Sequence, residues 1–232
     1  MKAYFVTPLG YVFVGVSFIF SGAFFFLFTL TSPTPTMGVV DFSTMFTLMF
    51  FVLMVTVPLL TMRLLSDERR TKTDQLVLTA PVGLFSLVFA KFAAAFIIFV
   101  LSTAIMLVYG LVLSRFTDAL NWWTLFGHIF GLIMVGAVYI SAGLLVSSLT
   151  ENQMVAAVIS VFVNIGFLLT TLIASHIPSA FVAEIVANLS LLGRYERFTV
   201  GIFELENVLF FISIAVVFLF LTVRVLEKRR WS

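Results

Sequence analysis

The sequence predicts an all-α membrane protein of six transmembrane helices, and three observations carry that reading. Hydrophobic residues make up 62% of the 232 positions and charged residues only 10%, against roughly 25% charged in an average soluble domain. Apolar stretches of about 20 residues, the length that crosses a hydrocarbon layer, recur from end to end. No stretch between them is long enough to bury a separate soluble core, so 1–232 read as one membrane domain. A net charge of +2 gives no case for a nucleic-acid partner. With no Cys in the chain, cysteine nucleophiles and zinc–cysteine sites are excluded.

Residues 1–10 place Lys2, Tyr4 and Phe5 around Pro8, with Tyr11 following. This mixture of basic and amphipathic aromatic side chains suits the headgroup region and predicts a short interfacial helix. The first hydrophobic stretch is expected to be retained, because no small-x-small cleavage pattern follows it. Span one, 11–30, is uncharged and stops where Pro33 and Pro35 forbid helix continuation. Asp41 is expected to cap span two, 42–60, and Pro58 to kink its inner end.

From Arg63 to Gln75 the chain is densely polar, and at about 3 kcal/mol per charge it does not enter lipid. Thr71 and Asp74 have capping-box spacing, predicting a short helix that starts there and runs through Leu76 and Leu78 to Pro81. Span three, 84–113, carries Lys91 roughly 10 Å from its start. A lysine stem snorkels that far, so Lys91 reads as an interfacial anchor. Trp122 and Trp123 mark the interface at which span four, 123–149, opens. Thr150-Glu151-Asn152-Gln153 repeats the capping-box pattern before span five, 154–174.

Between spans five and six, Phe181, Ile185 and Leu189 recur at helical spacing opposite Ser179, Glu184 and Asn188. They predict an amphipathic helix on the outer surface, ended by Gly193. Arg194-Tyr195-Glu196-Arg197-Phe198 then leads through Gly201 to span six, 208–226, and the chain closes on Glu227-Lys228-Arg229-Arg230-Trp231. The side holding both termini and the 61–83 segment collects ten basic residues, the other side only Arg115, Arg194 and Arg197. The positive-inside rule therefore puts both ends in the cytoplasm.

Several chemistries are missing. No G-x-x-x-x-G-K-[ST] run occurs, so the chain has no P-loop of its own. His128 and His176 lack the H-E-x-x-H pattern and read as packing or interface residues. No Asp or Glu sits at mid-depth in a span, which disfavours an ion-coupled carrier or proton pump. A membrane enzyme would need a convergent acid, base and nucleophile, which scattered Ser and Thr do not supply. The 63–78 segment is what remains distinctive, either as a solvated loop or as a surface on which charges orient a partner and Leu76 and Leu78 fill its pocket.

Three pieces of the chain resemble the permease subunit of a type 2 ABC transporter, in the gliding-motility and nitrous-oxide-reductase-maturation branch. They are Tyr4-Phe5-x-x-Pro8-x-Gly10-Tyr11, the run from Pro58 through Ser66-Asp67-Glu68-Arg69-Arg70, Thr73 and Gln75-Leu76 to Pro81, and Arg194–Phe198 with Gly201 and the basic terminus. Lys72 departs from the Gly usual in relatives, so the turn before Thr73 is expected to differ, and Gln75 replaces a commoner Glu. The resemblance implies an exporter permease that pairs with a second permease chain and binds two separate ATPase subunits, which hold ATP and Mg; this chain itself carries no cofactor. It implies a bacterial or archaeal inner-membrane location and a coupling helix from Asp67 to Leu78. Glu151 and Gln153 would add a second ATPase contact. The outer helix would form an external gate with Phe181, Ile185, Leu189, Tyr195, Glu196, Arg197 and Phe198. Lys2, Tyr4, Tyr11, Lys91, Arg229 and Arg230 would lie at the interface. An ATP-independent transporter or channel, and a structural or assembly subunit, are the alternatives.

Overall fold

The computed structural model describes residues 8–30, 42–72, 83–115, 121–174, 182, 186 and 188–230. Those residues are mostly helical, and six stretches among them are long and apolar enough to cross a membrane. Span one is α1, Pro8–Phe24, continued by a π-helical turn over Phe25–Leu30. Proline opens α1 at no cost, since a first-turn N–H has no partner within the helix. Span two is α2, Ser43–Thr61, and a turn over 62–65 leads from it into the five-residue α3, Ser66–Arg70. Span three is broken at Ile105 into α4, Leu84–Ala104, and α5, Met106–Leu113. Tyr109 of α5 joins this break to span one: its ring stacks on Phe25 at 4.7 Å and its hydroxyl lies 3.0 Å from that of Ser21.

Spans four, five and six are α6, Trp122–Leu149, α7, Gln153–Ala174, and α9, Leu205–Arg230, with α8, Leu191–Thr199, between the last two. The middle of the bundle belongs to α6. In its most apolar stretch 72% of residues are buried, against 22% for the first and fifth spans, and it packs on α2, α4, α7, α8 and α9. Small residues permit the close approaches. A side chain at Gly127 would begin 2.1 Å from the Phe198 carbonyl oxygen of α8, and one at Gly143 would begin 2.1 Å from the Thr61 hydroxyl at the end of α2. Between apolar helices in lipid, such backbone proximity is the main source of association.

Pro58 lies within α2. In an α-helix the Met54 carbonyl would accept from the N–H of residue 58, and proline has none. Asn164 of α7 fills the gap, donating from Nδ2 to the Met54 oxygen at 3.0 Å while only 1% exposed. The second and fifth spans are thereby pinned at the point where the helix ladder fails.

Several expected boundaries move. Asn152, two residues after Thr150, caps α7: its Oδ1 accepts from the N–H groups of Met154 and Val155, while the Thr150 hydroxyl accepts from Asn152 N–H. Thr71 is the C-terminal cap of α3, its hydroxyl donating to the Asp67 carbonyl at 2.9 Å. The helix expected after it, with Thr73, Gln75, Leu76 and Leu78, lies outside the described residues, as do Lys2, Tyr4, Asp41, Phe181 and Ile185. Gly193 does not end a helix; it is the third residue of α8, whose cap is Ser190 accepting from Gly193 N–H at 3.0 Å.

Candidate functional site

The polar residues between the second and third spans are folded against the ends of three other helices. Ser147, near the C-terminal end of α6, organises the backbone. Its Oγ accepts from Leu65 N–H at 3.1 Å and Ser66 N–H at 3.0 Å, and donates to the Met62 carbonyl at 3.1 Å. The Ser66 hydroxyl donates to the same carbonyl. One buried hydroxyl thus satisfies two amide groups that a turn leaves outside the helix ladder, which is what allows α3 to start at Ser66. Acidic residues in its first turn and basic residues in its last agree with the helix dipole.

The side chains of α3 then divide by direction. Glu68 and Arg69 face the bundle. Glu68 pairs with Lys91 of α4 at 2.5 Å, and the Lys91 ammonium also donates to the Leu64 carbonyl. Arg69 pairs with Glu151 at 3.2 Å and donates to the Ser148 carbonyl at 3.4 Å. Both cationic side chains are mostly covered, Lys91 at 16% exposure and Arg69 at 18%. Lys91 is therefore turned toward the connecting segment. Asp67 accepts from Gln153 Nε2 at 2.7 Å.

Arg70 faces outward. It is 66% exposed and lies 3.5 Å from Asp67, and with Glu151, Asn152, Gln153 and Met154 it lines an open pocket of about 380 Å³. Lys72 follows with φ +56°, the left-handed region that glycine occupies without strain. Lys72 thus stands on a backbone that would suit Gly.

Asp67, Glu68, Arg69 and Arg70 are brought together with Glu151 and Gln153. Sequence reasoning missed Ser147 and Gly143, which hold that assembly to α6. Their i, i+4 spacing of small residues near the end of an apolar helix was the available signal.

At the other end of the bundle, the segment expected to be a plain lead into span six is α8, packed into the core. Tyr195 and Phe198 are fully buried, Tyr195 against Phe50 and the Gly131 position, Phe198 among Phe130, Phe203 and Phe211. Burial holds the Tyr195 phenol well above its ordinary pKa range, so it stays neutral. Glu196 is exposed, Arg197 pairs with Glu204 at 2.8 Å, and Leu189 is half exposed. Arg194 ties α8 to α9: it donates to the Asn188 carbonyl, Glu206 and Asn207 and covers the Phe210 ring at 4.2 Å. Tyr11 near the start of α1 is exposed, Arg229 is half-buried and Arg230 is exposed in the last turn of α9.

No group of three or more metal-binding side chains occurs among the described residues. Among the described residues, a central buried helix with the other spans packed about it and a compact polar connection at one end define a multi-pass membrane protein. Residues 29–231 match the family described as ABC-2 family transporter protein, and the chain belongs to that family. A search of curated proteins found no match.

Proposed function

We propose that this permease works in an ATP-driven exporter of the inner membrane, with both termini in the cytoplasm, as one of two permease chains over two separate ATPase subunits that hold ATP and Mg. The segment from Asp67 to Leu78, which includes α3, acts as the coupling element, and Glu151 and Gln153 complete its docking surface. The observation that carries this reading is the division of α3. Glu68 and Arg69 are spent on internal ion pairs, while Arg70 and the open pocket beside it face away from the bundle. A loop that only stopped membrane insertion would need charge but no such fixed inner scaffold. Force applied to a braced segment reaches the spans, whereas force applied to a loose loop is lost in its flexibility. The segment after span five, with Leu189, and α8 with its Arg197–Glu204 pair form the external gate.

Arg70→Glu tests this directly. Exposed substitutions usually change stability within about 0.5 kcal/mol, so the variant should fold normally. It should retain less of the co-expressed ATPase through purification and show lower permease-dependent ATP hydrolysis. Undiminished retention together with undiminished hydrolysis would refute docking at this face.

A further inference from the structure

The ties that hold α3 run unequally. Ser147, Ser148, Glu151 and Gln153 fasten it to the fourth and fifth spans, and the chain itself joins it directly to the second and, further on, to the third. From the third span Lys91 reaches it, through Glu68 and the Leu64 carbonyl. We propose that Lys91 is a positioning residue for coupling, making the third span move with the α3 segment when that segment is displaced. This rests on the docking function argued above.

Three observations support it. First, a lysine this covered loses hydration, and Met or Leu would pack there without that cost; replacing buried ion pairs by apolar residues is often neutral or stabilising. Added stability is thus a poor reason for the pair, whereas a fixed register between two elements is a good one. Second, the ammonium touches both a side chain and a backbone carbonyl of the same segment, so it holds the segment's position as well as neutralising Glu68. Third, Glu68 is only one-third exposed and faces inward, away from the surface where Arg70 stands. Loss of the pair should therefore loosen the segment from α4 while Ser147 keeps it folded on α6 and the docking surface stays intact.

The experiment compares the wild type, Lys91→Met, Glu68→Gln and the exchange Lys91→Glu/Glu68→Lys in nanodiscs with the co-expressed ATPase. It is joined to spin-label distances between Thr71→Cys and Phe89→Cys on the permease alone. The chain has no native Cys, so the labels are unique. Lys91→Met and Glu68→Gln should retain the ATPase but lose permease-dependent hydrolysis by roughly tenfold, within the range of coupling between distinct sites. The exchange should restore most of it, and Lys91→Met should broaden the label distances. Unchanged hydrolysis in both single variants overturns the proposal, as does loss of ATPase retention in Lys91→Met, which would make Lys91 part of the docking surface. If the wild type itself retains no ATPase, the docking reading fails alone. The distances still judge the Lys91 tie, and an unbroadened distribution rejects it.

Discussion

Ser147→Ala removes the hydroxyl on which the 62–66 turn depends. Leu65 is 3% exposed and Ser66 fully buried, and both donate their N–H to this oxygen. A buried donor left without a partner costs about 1–3 kcal/mol, so the two together should cost about 2–6 kcal/mol. The Met62 carbonyl loses less, because the Ser66 hydroxyl still donates to it. Ser148→Ala is the control, since the Ser148 hydroxyl bonds only the Leu145 carbonyl within its own helix and its loss should cost about 1 kcal/mol or less. Equilibrium unfolding in mixed detergent and SDS micelles reads both. Proteolysis or labelling at an introduced Cys at position 70 should show α3 freed in Ser147→Ala and held in Ser148→Ala. Equal unfolding midpoints for the two variants would refute the view that one hydroxyl organises this turn.

Two further predictions concern the backbone. Asn164→Leu should destabilise the protein by about 1–3 kcal/mol, leaving the Met54 carbonyl unpartnered. Pro58→Ala restores an N–H to that carbonyl, so Pro58→Ala/Asn164→Leu should be less destabilised than Asn164→Leu alone; additive costs in the double-mutant cycle would count against the pairing. Lys72→Gly relieves a left-handed backbone at φ +56° and should stabilise the folded chain by up to about 1 kcal/mol, less the entropy gained by the unfolded chain. A lower unfolding midpoint would contradict that assignment.

What the sequence made legible follows from solvent. Six spans were readable because a hydrocarbon layer imposes length and composition on each one separately, and Trp122 opens α6 one residue from its expected start. Caps were less legible because neighbouring residues compete. Thr150 and Asn152 are both able acceptors, and only the path of the chain into α7 gives the amide groups to Asn152. Burial of Tyr195 and Phe198 was not readable from α8 itself, whose arginines and glutamate suggest a solvated connection. It depends on Gly127 and Gly131, far earlier in the chain, leaving room on α6. The pairing of Lys91 with Glu68 was hidden for the same reason: each looks like an ordinary residue of the basic end until the two helices meet.

The inward and outward sets on α3 also decide which substitutions are informative. Glu68 and Arg69 are the central charges of the polar run, and replacing both with Ala looks like the natural test of docking. Yet Glu68 holds the largely covered Lys91, and Arg69 is itself largely covered although its partner Glu151 is exposed; breaking a buried pair costs about 3–5 kcal/mol where desolvation is complete. Even with that figure reduced for partial exposure, the double alanine variant would shift the segment on its scaffold. A loss of activity would then follow from displaced geometry as readily as from a lost contact. Arg70 is free of this ambiguity because its partner is Asp67 within the same short helix and its head is mostly in water, where an ion pair is worth about 0–1 kcal/mol. Docking is therefore read at position 70, transmission at positions 68 and 91, and the two effects separate in one set of measurements.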